Sequence, residues 1–154
     1  MARLNTLQRN IVASVKRAKS IHGHLGPFLV LGVRISIAGM EKLGIEKNDG
    51  KLRVEAEMPY IIPYTCTLDG IQATTQCTFG NQKLVFKESS SPTVSVKFSL
   101  KDKNNQVVVS VKNEILHNLI DRLKEAKGAE KVQNELAWTV ATMPEEKLFY
   151  IKVK

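Results

Sequence analysis

Cysteine and histidine are scarce in this chain, and most of the few that occur are grouped. The sequence has two cysteines and three histidines among 154 residues. Two cysteines exclude a disulfide-rich scaffold, and the ten residues between them match no zinc-finger spacing. Four of these five side chains lie in two short motifs: His22 and His24 in I-H-G-H-L-G-P, and Cys66 and Cys77 in C-T-L-D-G-I-Q-A-T-T-Q-C. This grouping indicates a metal or thiol site.

Acidic residues are outnumbered, with 15 Asp and Glu against 23 Lys and Arg, which gives a net charge of +8. The basic residues are scattered, apart from Lys16, Arg17 and Lys19, and no aromatic residues lie between them. We therefore expect a basic solvated surface, and nucleic acid is not favoured as a partner.

Long apolar runs are also lacking. The most hydrophobic stretch, Pro27 to Met40, contains Arg34 and is too short to span a bilayer. No apolar segment of a signal peptide follows Arg3 and Arg9. We expect a cytoplasmic protein without a membrane partner, in which the two cysteines are thiols or metal ligands rather than a structural disulfide.

The length and the 43% hydrophobic content favour one domain over residues 1–154. The spacing of apolar residues predicts helices and strands in an α+β order: N-terminal helices, a central antiparallel sheet and C-terminal helices. The predicted helices are Leu4–Ser20, Pro27–Leu43, Leu68–Thr75, one that begins after an Asn113 cap and is closed by Gly128, and Ala129–Ala141. The predicted strands are Leu52–Met58, Leu84–Phe86, Val94–Leu100, Gln106–Val111 and Leu148–Val153.

The second helix is apolar on nearly all sides and is predicted to be the central core helix. Its stripe of small residues, Gly32, Ser36 and Gly39, would let another backbone approach closely, within the chain or in a second copy. In the short third helix, Thr67 is the expected cap, Cys66 precedes the helix and Cys77 follows it.

Asp69 is the lone formal charge between Pro59 and Gln82, so it needs a partner. Three roles are open for this carboxylate: favourable placement at a helix N-terminus, general base, or support for a metal-binding histidine. Gln72 lies one turn further on the same helix face, and Thr78 is among the neutral hydroxyls of the expected pocket. His22 and His24, alternating on an extended segment, would point to opposite sides. His117 is expected at the surface.

The two motifs together resemble the FmdE family of formylmethanofuran dehydrogenase proteins. The resemblance rests on I-H-G-H-L-G-P-F at 21–28 and C-T-L-D-G-I-Q-A-T-T-Q-C-T-F-G-N at 66–81, and extends through K-L-V-F-K at 83–87. It implies an α+β domain of a kind found in archaea and anaerobic bacteria, commonly a homodimer, that binds zinc or another divalent transition metal. By position, it implies His22, Cys66 and Cys77 as ligands with His24 next, and Asp69 and Gln72 behind them or facing a small polar ligand.

Two positions depart from the family pattern. The family's cysteine within H-G-H-L-C-P is Gly26 here, and the glycine before its second motif cysteine is Gln76. The loss of a thiolate leaves the metal site open, altered or empty, and an open position is what a catalytic metal requires. No cysteine follows Cys77, so the zinc-ribbon extension of some relatives is not expected within this sequence.

Three functions therefore stay open. The first is a metal-binding domain, an enzyme or an accessory to redox or one-carbon metabolism, with Asp69 as proton acceptor. The second is a metal-free thiol enzyme, with Cys66 or Cys77 as nucleophile and His22 or His24 as base. The third is a non-catalytic binding protein that uses its basic surface.

Overall fold

The computed structural model describes residues 5–154. In chain order the elements are α1 (Thr6–His22), α2 (Pro27–Lys42), β1 (Leu52–Met58), α3 (Cys66–Thr75), β2 (Leu84–Glu88), β3 (Ser95–Leu100), β4 (Gln106–Val111), α4 (Asn113–Ala126), α5 (Glu130–Thr142), α6 (Glu145–Leu148) and β5 (Phe149–Val153). The α+β class is thus confirmed. No helix within residues 5–154 is long and apolar enough to cross a membrane.

The five strands form one sheet in the order β2-β1-β3-β4-β5. The β1–β3, β3–β4 and β4–β5 pairs are antiparallel, but β2 runs parallel to β1. The sheet is therefore mixed rather than wholly antiparallel. The reason is that α3 lies between β1 and β2 in the chain, and a helical crossover returns the chain to the same end of the sheet.

Helix α2 lies at the centre of the molecule. It contacts β3 and β4 on one side and α1, α3 and α5 on the others, which explains why it is apolar on nearly all sides. The sheet turns alternate residues toward it, such as Val96 and Phe98 from β3 and Val107 and Val109 from β4, all fully buried.

The small-residue stripe of α2 packs within the chain. A Cβ atom on Gly32 would overlap the Thr67 carbonyl, and one on Gly70 would overlap the Leu29 carbonyl, so α2 and α3 cross with their backbones in contact. Gly39 instead makes room for the Phe98 ring. This crossing holds the first turn of α3 against the start of α2.

Several predicted helix ends shift by one or two residues. Leu4 lies outside the described residues, and α1 begins after an Asn5 cap and continues through His22, so His22 is helical rather than extended. Cys66 is the first residue of α3, and Thr67 lies inside that helix instead of capping it. Asn113 is likewise the first residue of α4, after a Lys112 cap.

Candidate functional site

The site is built on an ion pair between the end of α1 and the start of α3. His22 is the last residue of α1, and Asp69 lies in the first turn of α3. The Nδ1 atom of His22 is 2.6 Å from Oδ2 of Asp69. The carboxylate therefore has the partner that its isolation in the sequence requires, and it lies at the positive end of the α3 dipole.

Gln72 fixes the other side of this carboxylate. Its Nε2 donates to Oδ1 of Asp69 at 3.3 Å, and its Oε1 accepts the backbone N–H of Phe79 at 3.2 Å. Both carboxylate oxygens are thus engaged, one by an imidazole and one by an amide. Asp69 is held in one orientation, and it orients His22 in turn.

The second nitrogen of His22 has no such partner. Among the described residues, Nε2 of His22 is the one buried side-chain nitrogen or oxygen without a hydrogen bond. With the Nδ1 proton donated to Asp69, the tautomer inferred from this hydrogen bond leaves a lone pair on Nε2. A buried lone pair without a donor is costly unless something binds it.

His22 borders a cavity of about 420 Å³. The ring of His24 lies 4.6 Å from that of His22, centroid to centroid. The cavity lining combines the loop before α2, the start of α2, the segment before α3, and α4 and α5: His22, His24, Gly26, Pro27, Phe28, Leu29, Ile62, Pro63, Cys66, Ile120, Leu123, Lys124 and Gln133. The structure therefore brings three of the sequence candidates, His22, His24 and Cys66, to one cavity.

Cys66 reaches this cavity as a thiol rather than a thiolate. Its side chain is half-buried. Burial, and then the negative charge of Asp69, raise the pKa of the Cys66 thiol above its ordinary value. A protonated thiol is a poor nucleophile, so this environment does not favour the metal-free thiol enzyme.

Cys77 lies elsewhere. It follows α3, whereas Cys66 begins it, and a helix of ten residues is about 15 Å long. The Sγ of Cys77 is fully buried, donates to the Leu52 carbonyl at 3.4 Å and lies 3.7 Å from Nδ2 of Asn48. Burial raises the pKa of this thiol as well. The structure does not bring Cys77 to the cavity, and its surroundings are those of a core residue.

The remaining candidates divide between support and surface. Thr78 exchanges two hydrogen bonds with Asn81 in the turn before β2 and does not line the cavity. His117 is exposed on α4, as predicted. Residues of α4 and α5, among them Lys124 and Gln133, line the cavity although no sequence motif selects them. Their place there depends on long-range packing, for which a single sequence carries no local signal.

Position 26 has room for the side chain that the family pattern carries there. A Cβ atom on Gly26 would make ordinary contacts, 3.6 Å from Cε1 of His24 and 4.0 Å from Oε1 of Gln133. The backbone there is extended, with φ of −150°, which any residue can adopt. A side chain at this position would therefore lie beside His24 without strain.

Within residues 5–154, no three or more His, Cys, Asp or Glu side chains are already arranged to hold a metal ion. The donor types at the cavity nevertheless suit a zinc-type ion, since imidazole nitrogen and thiolate sulfur are its usual ligands. The assignment of ligands remains a prediction.

A curated relative is the "Probable S-adenosyl-L-methionine-binding protein" of Archaeoglobus fulgidus, 30% identical over 163 residues. The match covers 96% of this chain but 44% of the relative, so the chain spans less than half of that protein's length.

A solved structure, that of an FmdE-like protein of tungsten formylmethanofuran dehydrogenase from Syntrophus aciditrophicus, superposes with a TM-score of 0.62 at 18% identity. The superposition covers 100% of this chain and 77% of that one, and the likeness supports the fold. The model of the family described as "FmdE, Molybdenum formylmethanofuran dehydrogenase operon" matches residues 21–150. That span includes both motifs and every element from α2 to α6, and the chain belongs to the FmdE family.

Proposed function

We propose that the cavity beside His22 binds a divalent transition metal of the zinc type, with His22 Nε2 as the principal nitrogen ligand. The observation that carries this proposal is the buried Nε2 without a partner, on an imidazole whose Nδ1 is held by Asp69. Metal-binding histidines commonly donate their other ring N–H to a carboxylate, which fixes the ring and raises its basicity.

His24 and Cys66 are the further ligands in this proposal, since both line the same cavity. Cys77 is left out because its sulfur contacts Leu52 and Asn48 in the core. Three protein donors leave a coordination position for a small ligand, and a zinc-type ion there would supply Lewis-acid polarisation of a ligand oxygen.

Asp69 acts in this proposal as a positioning residue rather than a general base. Both of its oxygens are already engaged, by His22 and by Gln72. Its contribution is to hold the Nδ1 proton and so to keep Nε2 free for the metal.

A zinc competition titration with a chromophoric chelator tests the proposal on protein made without a histidine tag. We expect one zinc per chain, with affinity reduced at least about tenfold in His22→Ala and in Cys66→Ser. Cys77→Ala is the matched control, because it removes the other thiol, and its affinity should be unchanged. No stoichiometric zinc, or equal affinity in all four proteins, would contradict the proposal.

Gly26→Cys provides a gain-of-function test of the same site. A thiol at position 26 would lie beside His24 and restore the donor that the family pattern has there. We expect tighter zinc binding, by about tenfold or more, since thiolate is a preferred zinc ligand. Gly26→Ser, which adds a side chain of similar size without the sulfur, should bind zinc as the unmodified chain does.

S-adenosylmethionine binding is a second candidate function. It is supported by the printed name of the Archaeoglobus fulgidus relative and by a largely apolar cavity of about 420 Å³, a size suited to a small organic ligand. Isothermal titration of the full chain with S-adenosylmethionine tests it. Saturable binding that is lost in Ile120→Glu would support the candidate, and the absence of heat up to millimolar ligand would oppose it.

A further inference from the structure

The wall that α4 and α5 contribute to the cavity has a chemistry that the metal proposal does not use. It consists of Ile120, Leu123, Lys124 and Gln133. None of the cavity-lining residues is Asp or Glu, and Lys124 is the one lysine or arginine among them. Asp69 lies behind His22 and is not part of the lining. The lining therefore carries positive charge without a compensating carboxylate.

Lys124 belongs to the last turn of α4, where a cation also suits the helix dipole. That placement alone is ordinary. Among the described residues, however, Lys124 takes part in none of the ion pairs, and it borders a cavity instead of open solvent alone. Its ammonium is thus available to a ligand inside that cavity.

The start of α2 adds to the same preference. Gly26 caps this helix without a side-chain hydrogen bond, and Pro27 occupies its first turn. In the described part of the chain, the backbone N–H groups of Phe28 and Leu29 donate no backbone hydrogen bond, as expected for the first turn of a helix. Both residues line the cavity, so the positive end of a 16-residue helix faces the ligand space.

The rest of the lining is apolar. Phe28, Leu29, Ile62, Ile120 and Leu123 surround a volume within the range of small-molecule sites. An apolar body would replace water against these side chains, while one acidic group would meet the ammonium.

We propose that this cavity binds a small organic anion, with its carboxylate, sulfonate or phosphate group on Lys124 and its apolar body between Ile62, Ile120 and Leu123. The inference deepens the binding function proposed for the cavity and rests on it. It assigns Lys124 as the residue that selects acidic over neutral ligands.

A pair of probes of one shape tests the charge preference: naphthalene-2-carboxylate and its neutral counterpart naphthalene-2-carboxamide. Each is titrated into the full chain, freed of metal with a chelator that is then removed, at low ionic strength. We expect the carboxylate to bind at least about fivefold more tightly, as for a charge-assisted contact. Added salt should reduce that ratio.

Lys124→Gln should abolish the preference for the carboxylate and leave carboxamide binding unchanged. Lys131→Gln is the matched control, since Lys131 is exposed on α5 and does not line this cavity; the ratio should persist. Equal binding of the two probes, binding of neither, or a ratio that survives in Lys124→Gln would overturn the inference.

Zinc titration separates this inference from the metal proposal. Lys124→Gln should bind zinc as the unmodified chain does, because Lys124 is not among the proposed ligands. A carboxylate preference that appears only with zinc and disappears in His22→Ala would place the acid group on the metal, which contradicts the role of Lys124 and supports the metal site.

Discussion

At the scale of single residues, the site depends on how one carboxylate is occupied. Asp69 is bonded to Nδ1 of His22 through one oxygen and to Gln72 through the other. Of the three roles open for it from the sequence, two are combined in the structure: it lies at the positive end of α3 and it orients a histidine. The consequence is a buried Nε2 without a hydrogen bond, which is the chemical centre of the proposal.

Asp69→Asn tests this arrangement. The amide keeps the shape of the side chain but removes the charge that stabilises the Nδ1 proton, so we expect zinc affinity to fall about 10- to 100-fold. Circular dichroism should show an unchanged fold. Thr78→Ala, a change in the neighbouring turn and outside the cavity, is the control, and an equal loss in both variants would contradict a specific role for Asp69.

At the scale of elements, the close crossing of α2 and α3 holds the two halves of the site together. Gly32 and Gly70 meet where each Cβ would overlap the other helix's backbone. This crossing brings Cys66, at the start of α3, beside the first turn of α2. A stripe of small residues in the sequence is thus explained by packing within the chain.

Gly70→Ala should destabilise the protein, although alanine is the better helix former by about 1 kcal/mol. The added methyl would collide with backbone atoms of α2, and overpacking of this kind costs about 1–3 kcal/mol or more. Gly80→Ala is the control, because a Cβ there would make only an ordinary 3.7 Å contact with Thr78. Thermal unfolding measures both, and equal midpoints would exclude the close crossing.

The outer face of the sheet carries a charge arrangement with a defined pH dependence. Glu55 on β1 lies 3.0 Å from Nζ of Lys87 and 3.1 Å from Nζ of Lys97. Hydrogen bonds from Lys87 and Lys97 lower the pKa of the Glu55 carboxyl. A carboxyl with a lower pKa in the folded state stabilises the fold above its unfolded pKa, and that contribution is lost as the pH falls through the folded pKa.

We therefore expect Glu55→Gln to lower the midpoint of thermal unfolding at pH 7 by a few degrees at most, since the pair is largely exposed. The difference from the unmodified chain should shrink as the pH falls below about 4. Glu114→Gln, an exposed acid on α4 outside the ion pairs described, serves for comparison. A difference that grows toward acid would contradict the assigned direction.

At the scale of the whole molecule, the net charge of +8 determines the response to polyanions. The basic residues are distributed rather than gathered in a groove with aromatic side chains. We expect weak, sequence-independent binding to duplex DNA at about 50 mM salt, and a loss of that binding by about 200 mM because few counterions are released. Fluorescence anisotropy measures it, and sequence-specific binding that persists at the higher salt concentration would show a nucleic-acid site.

Local patterns in the sequence determined most of the elements. The ends of β1 and β4 agree with the predicted Leu52–Met58 and Gln106–Val111, because strict alternation of apolar residues marks a strand with one buried face. Helix α2 agrees at Pro27, since proline suits the first turn. The short α6 and the parallel pairing of β2 were missed, because a four-residue helix has little periodicity and strand direction follows from the crossover.

The sequence by itself also determined that His22, His24, Cys66 and Asp69 belong to one motif set and that the chain resembles the FmdE family. Only the tertiary structure decided that Cys66 lines the cavity and Cys77 lies in the core. Two cysteines in one motif look equivalent in the sequence, but α3 separates them by its full length. Lys124 and Gln133 join the site for a similar reason: contacts distant in sequence depend on how helices pack, which no local pattern records.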